Sequence, residues 1–248
     1  MQDHWVHLSV DDVQTVLQDL AKTPPDKVWQ HPFWNDLKEF HEEYGMKISL
    51  YCFAEHLPVA SVWGDACRNN LAPTASWLKF GFHAGKWENH YTSYTDSQKL
   101  EELKRDFSAV RDAVLHFAGP ESFTNTIRLH YFSCSEPVRK FLEQEGIRVL
   151  LSADDDRISY DLTAQENHIL RETGSFEKGG THYLRTDFRY EKVSDILSEL
   201  ESRRNQKGLV LFTHENQWSV NRCKIQKSLQ WLSTQGRRFV TDITSELE

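Results

Sequence analysis

A chain of 248 residues with 37 acidic and 29 basic side chains, formal net charge −8, has room for one large α/β unit or two small domains. Hydrophobic residues make up 39% and aromatic residues 12%, which excludes a disordered chain and a disulfide-stapled miniprotein. The acidic balance argues against a dedicated nucleic-acid or anionic-membrane binder, and no window approaches the ~20 apolar residues of a membrane span.

The first ten residues hold no basic region and no long apolar segment, so no secretory signal is expected. Trp5–Val10 is strand-like, with His7 and Ser9 on one side. Asp11 or Asp12 is placed to cap a helix whose Val13, Val16, Leu17 and Leu20 fall at helical spacing and which Pro24-Pro25 ends. A Trp- and Phe-rich helix is expected around Val28–Tyr44 and a strand at Lys47–Phe53. Ala54–Ser76 shows no period and reads as a long covering or functional loop. Trp77–Phe82 reads as a strand, and Leu100, Leu103, Phe107, Val110, Val114 and Phe117 place one apolar stripe on a long helix. Strand Thr126–Tyr131, helix Glu136–Gln144 closed by Gly146, and strand Ile147–Leu151 follow. Short strands with a small helix near Ala164–Glu172 fill the Arg157–Asp187 region. Helix Val193–Arg204, strand Gly208–Thr213, helix Val220–Thr234 and strand Arg237–Ile243 complete the chain.

Strand and helix alternate with no linker, repeat or low-complexity run, which predicts a mostly parallel sheet flanked by helices. Seven or eight such units at this length favour a single domain over residues 1–248, an irregular (β/α)7-8 barrel rather than an open doubly wound sheet. Neither GxGxxG nor GxxxxGK[ST] is present to support a phosphate-cradling alternative. Cys52, Cys67, Cys134 and Cys223 form no CxxC pair, so free thiols and a cytoplasmic location are expected.

Polar residues collect where these strands end. Asp11 and Asp12 close the first, His83 follows Trp77–Phe82, Arg128 and His130 sit late in the fourth, the Asp154–Asp156 run follows Ile147–Leu151, and His214 follows Gly208–Thr213. In a (β/α) barrel the carboxyl ends of the strands share one rim, where active sites are built. Imidazole and carboxylate groups together can hold a transition metal and leave a position open for water, which is the equipment of metal-assisted hydrolysis. Blander readings stand beside this one. The two aspartates could serve only as a helix cap, His83 and His130 as hydrogen-bonded structural histidines, and the Asp run as a solvated turn. Arg128 could pair at the surface with Glu136 or the Asp run, although an arginine pointing inward from a strand needs a buried carboxylate partner.

The segment Leu8-Ser9-Val10-Asp11-Asp12-Val13 resembles the first motif, T-F-D-D-G, of the polysaccharide deacetylase family. Gly81-Phe82-His83 is similar to that family's second motif, Ile127-Arg128-Leu129-His130-Tyr131 to the third, and Leu209–His214 to the last, in the same chain order over residues 8 to 214. The resemblance implies an irregular (β/α)7 barrel and a metal-dependent removal of acyl groups from carbohydrate. It implies Asp11 as the base, Arg128 as the group orienting it, His214 as the general acid, and Asp12 and His83 as metal ligands. The chain departs from the pattern at three places. Trp87 stands where the family has a second His, with His90 in a different register, His130 replaces a Pro, and Val13 replaces the Gly of the first motif. His130 is therefore the expected third ligand, to a divalent ion expected to be zinc. Trp87, Tyr131 and Trp218 are expected substrate contacts, since flat aromatic faces suit sugar rings. A small or soluble N-acylated carbohydrate is the expected substrate, and a non-catalytic barrel binding a sugar or protein is the alternative.

Overall fold

In a computed structural model, which describes residues 4–58, 62–63 and 65–247, the strands run β1 (Trp5–Val13), β2 (Ile48–Phe53), β3 (Leu78–Ala84), β4 (Thr126–Ile127), β5 (Val149–Ser152), β6 (Ser175–Lys178), β7 (Thr181–Arg185), β8 (Phe188–Arg189), β9 (Gly208–His214) and β10 (Arg238–Phe239). The helices between them are α1 (Thr15–Lys22), α2 (Pro32–Tyr44), α3 (Asp65–Leu71), α4 (Ser97–Phe117), α5 (Glu136–Gln144), α6 (Ala164–Thr173), α7 (Ile196–Ser202), α8 (Trp218–Thr234) and α9 (Thr244–Leu247). The first three residues and part of the Ala54–Ser76 stretch lie outside the described residues.

Two parallel blocks join into one barrel. The first runs β3-β2-β1-β9-β8, with β10 also pairing β1. The second runs β4-β5-β7, with the antiparallel β6 at its edge. The chain from Thr181 to Arg189 belongs to both, because β7 pairs with β5 and then β8 pairs with β9. The opposite seam closes more loosely, through a Phe80–Phe123 bridge in which Phe80 O accepts from Thr124 N at 2.9 Å. Seven staves and the short β10 therefore make the irregular (β/α) barrel expected from the alternation. Gly81 lies beside that seam, where a Cβ would come within 2.9 Å of Thr124 and 3.0 Å of the Tyr51 ring. Glycine lets a bulky ring from β2 fill the interior at that point.

The barrel lumen is polar at one face of β1. Strand period 2 sends His7, Ser9 and Asp11 inward, all buried, while Val6, Leu8 and Val10 face the surrounding helices. His7 Nδ1–H donates to Val240 O at 3.0 Å, which leaves Nε2 to accept from the Tyr51 hydroxyl at 3.1 Å. Outside, the α4 stripe buries Leu103, Phe107, Val110, Val114 and Phe117 as its spacing predicts. Among the described residues no helix is long and apolar enough to cross a membrane.

Several local expectations are corrected. Neither Asp11 nor Asp12 caps α1, since β1 continues through both and the helix starts after Gln14 without a side-chain cap of its own. The cap comes from 200 residues away: the Glu215 carboxylate accepts from Gln14 N, from Thr15 N at 3.0 Å and from Val16 N at 3.2 Å. The fourth strand is only Thr126–Ile127, because Tyr131 and Phe132 turn into left-handed conformation at φ 57° and 55°. The Val28–Tyr44 helix is divided, a 3-10 turn ending at Gln30 and α2 starting at Pro32, whose missing N–H suits a first helical position. Helix α3 interrupts the segment expected to be loop, and beside it Trp63 packs on Phe117 with centroids 4.7 Å apart.

Candidate metal centre and active site

A cleft of about 260 Å³ opens at the carboxyl ends of the staves. Eight of the nine residues singled out from the sequence line it: Asp11, Asp12, His83, Trp87, Arg128, His130, Tyr131 and His214. Trp218 does not. It is 4% exposed, its ring lies 5.1 Å from Phe33, and its Nε1 donates to Asp36 at 3.1 Å, so instead of the expected substrate contact it packs the start of α8 against α2. Asp154 and Asp155 line a neighbouring cavity instead.

Asp11 and Arg128 form a buried pair. Arg128 is 1% exposed; its Nη1 donates to Asp11 Oδ1 at 2.9 Å and to Ser9 Oγ at 2.7 Å. Its plane also covers the Phe212 ring at 4.1 Å. Breaking such a pair by removing one partner strands the other charge and costs about 3–5 kcal/mol. The inward arginine of the short fourth stave thus has the carboxylate partner that its position demands.

Asp12 takes φ 59° at the end of β1, a left-handed conformation that costs about 1–2 kcal/mol for an L residue. The turn separates its side chain from that of Asp11 and presents it to two imidazoles. One ligand atom each from Asp12, His83 and His130 lie within 4.8 Å of one another. His83 Nδ1 lies 2.6 Å from Arg128 O, and a carbonyl can only accept, so Nδ1 carries the proton. Nε2 is then left facing Asp12 Oδ1 at 3.1 Å, yet that buried oxygen receives no hydrogen bond. His130 Nδ1 is likewise buried without a partner. Two imidazoles and a carboxylate gathered at one spot, with partnerless buried polar atoms on Asp12 and His130 and the far nitrogen of His83 anchored to a backbone carbonyl, fit a divalent metal ion. Burial, with the neighbouring His83, lowers the His130 pKa to about 3, so its ring is neutral, as a ligand must be. For Asp12 burial works upward, but His83 and His214 outweigh it and hold the carboxyl below its ordinary value.

His214 completes the arrangement with a partner that sequence inspection missed. Glu191 Oε1 accepts from Thr213 Oγ1 at 2.6 Å and from His214 N at 2.8 Å, and lies 3.4 Å from His214 Nδ1. His214 Nε2 points to the cleft, 4.0 Å from Asp12 Oδ2. Burial works against charge on His214, but Glu191, Asp11 and Asp12 raise its pKa overall. Phe53, at the end of β2, was also missed: its ring sits edgewise against His83 at 5.2 Å and His130 at 5.3 Å, fixing both imidazole planes. No signal distinguished either residue in the sequence, since Glu191 lies in a polar turn and Phe53 in an apolar run. His90 stacks on Tyr131 at 4.6 Å, and His130, not His90, joins the cluster. Trp87 stands at the cleft mouth, 54% exposed, its ring 4.7 Å from His130.

No protein-family model matches the chain, and no curated protein matches it by sequence. Solved structures do. A peptidoglycan deacetylase from Bacillus subtilis aligns at TM-score 0.53 and 12% identity, over 99% of this chain and 90% of that one. A family 4 carbohydrate esterase from Streptomyces lividans, in complex with acetate, aligns at TM-score 0.52 and 13% identity, over 96% and 93%. A 4-alpha-glucanotransferase from Thermococcus litoralis aligns at TM-score 0.58 and 13% identity over 99% of this chain, which spans 40% of that longer protein. The chain has the deacetylase-like (β/α) barrel fold.

Proposed function

We propose that the protein is a metal-dependent hydrolase that removes an acyl group from an N-acylated carbohydrate. The observation that carries this reading is the convergence of Asp12, His83 and His130 beside the buried Asp11–Arg128 pair. Asp12, His83 and His130 would hold the ion, and two imidazoles with a carboxylate suit zinc. A divalent cation there would supply Lewis acidity at the acyl carbonyl and a more acidic attacking water.

The remaining roles follow from where protons can be taken and given. Asp11 takes the proton of the attacking water, and Arg128 holds its carboxyl group in place through one oxygen. His214, protonated at Nε2, hands a proton to the departing nitrogen, and Glu191 holds its Nδ1–H and the positive charge. Trp87 and Tyr131 offer the sugar a flat face at the mouth. The four free cysteines support a reducing, cytoplasmic setting. The alternative, a non-catalytic sugar-binding barrel, draws on Trp87 in place of a ligand but leaves both the Asp11–Arg128 and His214–Glu191 pairs without work. Incubating zinc-loaded protein with N-acetylated mono- and oligosaccharides and assaying primary amine tests the reading. Amine release that disappears in Asp12→Ala supports it, and saturable sugar binding without amine or bound metal supports the alternative.

A further inference from the structure

Two arginines in the cleft are unused by this chemistry. Arg157 lies over the Tyr131 ring at 4.9 Å, and among the described residues its guanidinium makes no hydrogen bond or ion pair. Its backbone is pinned, because Asp154 Oδ1 accepts from Arg157 N at 2.8 Å and Asp154 N donates to Arg157 O at 3.1 Å. Arg189 reaches the cleft from the stave beside β9, where it is in register with Phe212, two residues before His214. Its buried Nε has no hydrogen-bond partner and only a long pairing, at 3.8 Å, with Glu191 Oε2, the oxygen of that carboxylate which Thr213 and His214 leave free. Leaving a buried donor unpaired is costly, and a guanidinium is built to fork onto a carboxylate or phosphate. The cleft lining sets three guanidiniums (Arg128, Arg157, Arg189) against two carboxylates (Asp11, Asp12) before any cation is added, on a chain of net charge −8.

We infer that the substrate carries an oxyanion, a carboxylate or phosphate on the acylated sugar, and that Arg157 and Arg189 bind it. The inference rests on the deacetylase reading for the sugar but not for the anion. A neutral sugar would leave Arg157 without a counter-charge and Arg189 with only its long 3.8 Å pairing to Glu191, whereas an oxyanion beside Tyr131 would give Arg157 a partner and add one for Arg189.

Calorimetric titration of zinc-loaded protein with N-acetylglucosamine, its 6-phosphate and the corresponding N-acetylated uronic acid tests this. At least one anionic sugar is expected to bind tenfold or more tighter than the neutral one. That preference should fall about tenfold in Arg157→Gln/Arg189→Gln and weaken with added salt. Arg157→Gln alone, which removes no contact to a protein polar group, keeps the test open if the double variant does not fold; its preference should fall severalfold. Which anion wins identifies the source of the charge. Equal binding of neutral and anionic sugars, no binding of any anionic sugar, or a preference that survives these substitutions overturns the inference. Amine assayed in the same samples separates the two readings. Arginine-dependent binding without amine release refutes the deacetylase alone, and amine release with equal affinities refutes the anion alone.

Discussion

At the scale of single residues, Asp11 and Asp12 are chemical neighbours that the backbone sends to different tasks. One faces the lumen and Arg128, and the other is turned by its positive φ toward His83 and His130. Asp11→Asn should retain the metal while lowering kcat by about 10²- to 10⁴-fold, the usual worth of a general base. It should also lower the melting temperature, since Arg128 is then left with an uncompensated charge. Metal analysis beside steady-state kinetics checks this, and full turnover in the variant would remove Asp11 from the mechanism. Glu191→Gln should likewise keep the metal but reduce kcat more than KM changes, because His214 loses the carboxylate that steadies its imidazolium.

Elements are tied together at the rim by contacts remote in sequence. Glu215, just past β9, caps α1 by accepting from three successive N–H groups. Glu215→Ala should therefore destabilise the fold by about 1–2 kcal/mol, and Glu215→Gln, which keeps one accepting oxygen, by less; denaturant midpoints measure both. This cap shows why the sequence misled at the start of α1. Two aspartates ahead of an apolar helical stripe look like capping residues, and nothing local reveals that a distant glutamate does the job. The long, strongly periodic elements were legible: α4, α5 and α8 and the staves β1, β2, β3 and β9 lie within a few residues of their expected spans. The fourth stave was overextended because Arg128–Tyr131 looks β-like, whereas Tyr131 and Phe132 must turn left-handed to aim His130 inward. The rim site was legible because strand ends in a barrel converge whatever their spacing in sequence. Trp218 failed that logic because its ring is drawn into the helix layer by Phe33 and Asp36.

Across the whole molecule, the barrel stores polar groups in its lumen, and this makes acid a denaturant. Burial lowers the His7 pKa to about 3, against an unfolded value near 6.5, with Arg128 nearby working the same way. The unfolded chain therefore binds the proton first. The stability contributed by neutral His7 is complete above about pH 6.5 and is lost as pH falls toward 3, approaching about 1.4 kcal/mol per pH unit. His7→Gln, which can still donate to Val240 O and accept from Tyr51, should flatten the decline of denaturant midpoint between pH 6.5 and 4. Parallel slopes would contradict this. The central claim, however, is that the barrel converges on a metal. Elemental analysis of protein purified without chelators or a histidine tag, alongside Asp12→Ala and His83→Ala, tests it most directly. The account predicts close to one equivalent of zinc or another transition metal in the wild type, lost in both variants. A wild-type protein that takes up no metal even on zinc titration, or variants that bind it undiminished, would contradict it.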